Sequence, residues 1–321
     1  MTQPINFIID TDTASDDAVA LIMALRQPGV LVRAITVVAG NVALAQATRN
    51  ALVVADLCGY DGPVLSGCDR PLLRPAEDAQ WFHGRDGLGD QNYPPPQRAV
   101  TSGHAVDALI DSIHRYPGLT LVTLGPLTNI AVALLRDPSI ASKVGRCVVM
   151  GGNPCCVGNV TPAAEYNIWC DPEAAQIVMA SGLPIELIGW QLCRGSANLL
   201  ADDIAAVRAL NTPLAHFAID CNRVAMEANR VQSGEIGIAL PDPVAMAVAL
   251  DPTISTSVSA HAVAVECHSD LTRGQTVVDQ LNVATDARNT AVWSAQRARP
   301  ANIVWSIDVG RWKALLMKSL T

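Results

Sequence analysis

The sequence predicts an α/β fold: an open, mostly parallel sheet flanked by helices, in a single domain over residues 1–321. Three observations carry this. Apolar runs of strand length alternate with helix-length segments, the arrangement of βαβ units. Half of the residues are hydrophobic, ample material for a core. No internal repeat, low-complexity tract or linker divides the chain.

The first strand is the apolar run Ile5–Ile9, short enough for a buried strand. Asp10, Asp12, Asp16 and Asp17 follow, and then Ala18, Leu21, Ile22 and Leu25 recur at helical spacing. Ser15 or Asp16 is the expected N-cap of that helix. Leu31–Asn41 reads as the second strand, ending at Gly40–Asn41. Residues 43–57 read as a helix stopped by Gly59, and Pro63–Leu65 as a short third strand. Residues 66–98 are rich in Pro and Gly and read as a long loop, a feature that tends to be functional in compact domains. The loop contains WFHGRDGLGD, Trp81–Asp90, with two aromatics and a His on flexible backbone.

A helix over His104–Tyr116 leads to the strand LTLVTLG and the turn and helix PLTNIAVALL, so Asn129 faces the strand ends. Arg146–Gly152 is a strand closing on paired glycines, which permit a close approach of backbone to ligand. Residues 153–175 combine turn residues with Asn159, Glu165 and Asn167, and Asp171–Pro172 opens the next helix in Ncap–N1 order. Leu183–Trp190 is a further strand, and Ala201–Asn229 is helical. IALPDPVAMAVALDP places Asp242 between two prolines at a helix start, and a β-rich tail ends in a helix.

A net charge of −8 argues against nucleic-acid backbones and anionic membranes as partners. No 18-residue apolar stretch suggests a membrane span. MTQPINFIID lacks a basic n-region and a cleavage pattern, so no signal peptide is read there. Nine cysteines without framework spacing fit reduced thiols in a cytoplasmic protein.

The acidic turn carries the first chemical inference. Ligands in open parallel sheets sit beyond the carboxyl ends of the strands, where this turn lies. Capping and dipole effects account for one or two acidic residues at a helix start. They do not account for four. Packed carboxylates repel one another and raise each other's pKa unless a cation neutralises them. All-oxygen ligands suit a hard ion, Ca2+ or Mg2+.

DTDTASDDAVA resembles the DxDxGxDDAxA signature of the nucleoside hydrolases, the inosine-uridine-preferring N-ribohydrolases, with Ala14 at the usual Gly position. GPLTNIAVAL, MGG, GNVTPAAEYNIWCDPEAA, DPVAMAVA and RGQTVVD extend the resemblance in order over essentially the whole chain. The resemblance implies a Rossmann-like nucleoside hydrolase fold and Ca2+-dependent release of base and ribose from a ribonucleoside. It implies Asp10, Asp17, Asp242 and the Leu124 carbonyl as Ca2+ ligands, and Asp12 as the general base that deprotonates water on the ion. Asp16, Asn41, Asn159, Glu165 and Asn167 would hold the ribose, with Met150 packed beside it. A homodimer or homotetramer is also implied.

These roles make chemical sense. N-glycosidic cleavage passes through an oxocarbenium-like sugar, a cation and a carboxylate activate water, and amides and carboxylates match ribose hydroxyls. Singly, Asn159, Glu165 and Asn167 read equally well as turn formers and caps. His83 and Phe82 stand where the family's base-contacting loop begins, so Phe82 could stack on a base and His83 donate to it. The family often has His or Trp just before the last metal-binding Asp. Here Pro241 stands there, which leaves base preference open. Two other readings compete: a metal-dependent phosphohydrolase, which calls for Lys or Arg near the acidic turn, and a catalytically weak nucleoside- or sugar-binding protein, which has no need of Asp12.

Overall fold

The computed structural model describes residues 4–321, so the first three residues of the stretch read for targeting signals lie outside it. Nine strands form one sheet: β1 (Ile5–Thr11), β2 (Val30–Val37), β3 (Val64–Ser66), β4 (Thr120–Thr123), β5 (Arg146–Met150), β6 (Ile185–Ile188), β7 (Ser255–Val265), β8 (Thr276–Val278) and β9 (Arg299–Ile307). Their order is β3-β2-β1-β4-β5-β6-β9-β7-β8. From β3 to β9 every neighbouring pair is parallel, and β7 and β8 add on antiparallel. The expected mostly parallel sheet is present.

Helices cover both faces, so strand residues are buried in both directions. Phe7, Ile9, Val122, Val148 and Ile188 face one cluster with helices Ser15–Arg26, Leu44–Cys58, Pro241–Leu250 and Val309–Ser319. Ile8, Leu121, Cys147, Val149 and Leu187 face the other, beneath helices Ala105–Arg115, Thr128–Arg136 and Pro172–Ala180. The two-residue period of a strand sorts neighbours such as Ile8 and Ile9 to opposite cores. Helix Pro241–Leu250 is buried from Asp242 to Ala249, as its almost wholly apolar sequence requires.

Strand order reverses direction of growth between β1 and β4. That crevice is the topological switch point of a doubly wound sheet, the place where ligands bind. The elements around it confirm several local expectations. Gly59 is left-handed after Leu44–Cys58, and the Asp171 side chain accepts from Ala174 N at 3.1 Å with Pro172 at the helix start.

The cap expected from Ser15 or Asp16 is not formed. Ala14 is the N-cap, with φ −109°, and its N–H donates to Asp17 Oδ2 at 2.9 Å. The backbone is extended there, so the position makes no demand for glycine. The loop also departs from expectation. Gln80–His83 is a short helix, and the imidazole of His83 is buried rather than free on a flexible segment. Ala201–Asn229 is broken into helices Ala201–Ala209, Pro213–Asp220 and Arg223–Ser233.

Candidate active site

At the carboxyl end of β1, two carboxylates two residues apart have different surroundings. Asp10 Oδ2 accepts from Thr36 Oγ1 at 2.6 Å and Asn129 Nδ2 at 2.9 Å. Asn129 also donates to Val37 O and accepts from Cys68 N, so Asp10 ties β1 to β2 and to helix Thr128–Arg136. Burial still pushes the Asp10 carboxyl up to about 7 against these two donors.

Asp12 points elsewhere. Its Oδ2 accepts from Asn41 N at 2.6 Å, while its Oδ1 is buried without a partner. Side chains at Gly40 or Gly125 would collide with this carboxylate, so the two glycines make its cradle. Burial, then the charges of Asp17 and Asp16, hold the Asp12 carboxyl well above the usual range.

Asp16, Asp17 and Asp242 converge, with one carboxylate oxygen from each within 4.8 Å of the others. All three are buried, and they come from the starts of helices Ser15–Arg26 and Pro241–Leu250. Both helix N-termini favour negative charge, yet burial dominates. It raises the Asp16 carboxyl to about 6 and, reinforced by neighbouring charge, raises Asp17 and pushes Asp242 well above the ordinary range. Asp17 is anchored by Thr11 Oγ1 at 2.6 Å, and Asp16 Oδ1 has no partner.

Of the carboxylates expected as ligands, Asp17 and Asp242 meet, while Asp10 lies outside their group, its Oδ2 held by Thr36 and Asn129 and its Oδ1 buried without a partner. Asp12 borders the group instead, as the charges of Asp17 and Asp16 acting on it show.

Above the acidic floor lies a cavity that opens to solvent. Asp16, Asp242, Asn41, Leu124, Met150, Asn159, Glu165 and Asn167 all line it, as do Phe82 and His83. Asn167 Nδ2 donates to Leu124 O at 2.6 Å and Met150 O at 3.3 Å, holding the ends of β4 and β5 together. Glu165 accepts from Gly152 N and Asn167 N at 2.8 and 2.9 Å, and burial nevertheless raises its carboxyl to about 7. Asn159 Oδ1 accepts from Tyr166 N, so this residue both shapes the turn and faces the cavity.

His83 Nδ1 lies 2.8 Å from Ser15 Oγ and 3.8 Å from Asp16 Oδ1. Burial pushes the imidazole down to about 4, with the Asp17 charge opposing, so it is neutral near pH 7. Phe82 packs edge-on between Trp81 and His83.

Sequence reasoning missed the far wall: Tyr166, Trp190, Asn222 and Gln232. Trp190 follows β6 and was open to discovery by the strand-end rule; Asn222 and Gln232 gave no local signal.

The donor set fits a hard divalent ion. It is all oxygen, it is buried, it contains the unpartnered Asp16 Oδ1, and the unpartnered Asp12 Oδ1 belongs to the carboxylate that borders it. Among the described residues, no Lys or Arg lines the cavity, which removes the counter-charge a phosphoryl group calls for.

Comparison with known proteins matches this arrangement to one family. The family model described as "Inosine-uridine preferring nucleoside hydrolase" matches residues 7–314. Uridine nucleosidase 1 of Arabidopsis thaliana is 35% identical over 305 residues, covering 94% of this chain and 89% of that protein. Pyrimidine-specific ribonucleoside hydrolase RihA of Salmonella typhimurium is 38% identical over 288 residues, covering 89% and 92%. A solved plant nucleoside hydrolase, the PpNRh1 enzyme, superposes with a TM-score of 0.90 at 32% identity, covering 99% of both chains. The chain belongs to the inosine-uridine preferring nucleoside hydrolase family and is an N-ribohydrolase.

Proposed function

We propose that the protein hydrolyses the N-glycosidic bond of ribonucleosides with Ca2+ in its acidic cluster. The observation that carries this is the meeting of three buried carboxylates, Asp16, Asp17 and Asp242, with the buried carboxylate of Asp12 beside them, at the floor of a cavity walled by amides and a carboxylate. Asp17 and Asp242 with the Leu124 carbonyl would hold the ion, and Asp12 borders them. Leu124 O accepts one hydrogen bond, from Asn167, which leaves a lone pair. When bound, the ion supplies charge neutralisation and Lewis acidity toward water.

The remaining chemistry belongs to the chain. Asp12 is the general base, because its Oδ1 is free while its Oδ2 is fixed by Asn41 N. Asp16, Asn41, Asn159, Glu165 and Asn167 take the ribose, whose hydroxyls each donate and accept. Met150 packs beside the sugar. Carboxylates around the ring favour the positive charge that develops on it as the bond breaks. His83, neutral in its buried position, acts as a hydrogen-bond donor to the departing base, with Phe82 against the base face.

Base preference follows from the wall that is not ribose-facing. Pro241 has no donor and no aromatic face, so leaving-group contacts come from the His83 side. Cytoplasmic residence, supported by nine free cysteines, and assembly as a homodimer or homotetramer, supported by family membership, complete the reading. The test is a panel of common ribonucleosides assayed for free ribose, with and without chelator. Ribose release that chelation abolishes and Ca2+ restores is expected. Release that survives in protein shown free of metal by elemental analysis would refute the Ca2+ role.

A further inference from the structure

Asn222 stands at the N-cap of helix Arg223–Ser233 and forms no side-chain cap hydrogen bond. Asn at such a position normally turns its side-chain oxygen back onto the first turn of the helix. Here the amide is turned the other way and is wholly buried. Its Nδ2 donates to Ala218 O at 2.9 Å and Ser15 O at 3.3 Å, which fixes the identity of the two amide ends. Its Oδ1 has no partner, and the residue lines the cavity. A buried carbonyl without a donor is costly unless a ligand supplies one.

Which part of the ligand reaches it follows from its neighbours. The ribose-facing amides and carboxylate Asn159, Glu165 and Asn167 come from the turn and short helix after β5. Asn222 is joined instead to Ser15, whose hydroxyl meets His83, the residue that follows Phe82. It therefore belongs to the aromatic side of the cavity.

We propose that Asn222 Oδ1 accepts a hydrogen bond from a nucleobase N–H, making Asn222 a specificity-determining residue that selects bases presenting a donor at that point. This rests on the ribonucleoside hydrolase reading above. With both Nδ2 hydrogens committed, the group cannot rotate to donate, so a base presenting only acceptors there leaves two acceptors facing each other. A site built to pair a substrate N–H rejects the analogue lacking it by far more than a merely apolar pocket does.

Uridine provides the probe, because N3–H is the only N–H of its base, and 3-methyluridine has none. The wild type should favour uridine over 3-methyluridine by about tenfold or more in kcat/KM. Asn222→Leu keeps the branched heavy-atom shape and removes the acceptor together with the two amide donors. It should lower kcat/KM for uridine and bring the ratio of the two substrates close to one. Equal rates on both substrates in the wild type, or a ratio unchanged in Asn222→Leu, would overturn the proposal. If Asn222→Leu does not fold, as judged by its thermal melt, the wild-type ratio decides alone. p-Nitrophenyl riboside has no base, so its cleavage by the wild type reports ribohydrolase activity independently. Failure to cleave it would refute the hydrolase reading, and the base contact with it.

Discussion

Glu165 gives a stability prediction whose sign runs against the usual behaviour of carboxylates. It is buried and accepts three backbone N–H groups, at 2.8, 2.9 and 3.2 Å, which favour its ionised form. Burial outweighs them, and its carboxyl rises from 4.5 to about 7. A folded-state value above the unfolded one means that the folded protein binds the extra proton between those values. Its stability is therefore fully present below pH 4.5 and is lost as pH rises through 7. At about 1.4 kcal/mol per pH unit, the loss is about 3 kcal/mol in all, most of it between pH 5 and pH 8. For a chain of this size that is roughly 5 °C in Tm. Asp10 and Asp16, raised to about 7 and about 6, act in the same direction. Metal-free protein in chelator should thus melt at falling temperatures as pH is raised from 5 to 8. Glu165→Gln cannot titrate, so its slope should be shallower by roughly 5 °C over that range, whatever its absolute Tm. A wild-type Tm that climbs with pH, or identical slopes in the two proteins, would refute the reasoning.

Four further expectations concern metal and chemistry. Asp242→Ala should lose both the divalent ion and the activity, while Asp10→Asn should retain the ion, as elemental analysis of the purified variants will show. Adding Ca2+ should raise Tm more at pH 8 than at pH 5, because the ligands must first be deprotonated. Asp12→Asn should depress kcat by about 10²–10⁴-fold, the usual scale for a lost general base, with much less change in the binding of a ribose-like inhibitor; equal losses would make Asp12 a ligand only. His83→Ala should reduce kcat/KM on natural nucleosides more than on p-nitrophenyl riboside, whose leaving group needs no donor, and equal loss on both would point to a structural role.

What was legible in the sequence depended on distance along the chain. Strand, acidic turn and helix at Ile5–Arg26 could be read because apolar periodicity is local, and Asp171 could be read as a cap because donor and acceptor are three residues apart. Asp10 and Asp12 could not be told apart in the same way. Both are carboxylates at one strand end, and what separates them is Thr36 and Asn129, 26 and 119 residues from Asp10. His83 read as a loop residue because its hydroxyl partner, Ser15, is 68 residues away.

Asn222 marks the boundary most sharply. The sequence places it inside one helical stretch, Ala201–Asn229; the structure breaks that stretch and puts Asn222 at an N-cap, where a free Asn gains by capping. The side chain forgoes this because Ser15 O and Ala218 O claim its amide nitrogen. Ser15 O is the exposed end of no strand or sheet; it belongs to the first turn of the helix that carries Asp16 and Asp17. One amide therefore couples the helix bearing the acidic cluster to the helix covering the aromatic side of the cavity, while its oxygen is left for a ligand. A residue that both joins two walls and faces the space between them cannot be replaced for one purpose without disturbing the other. For that reason the substrate pair, which changes only the ligand, discriminates between the roles better than any substitution in the protein.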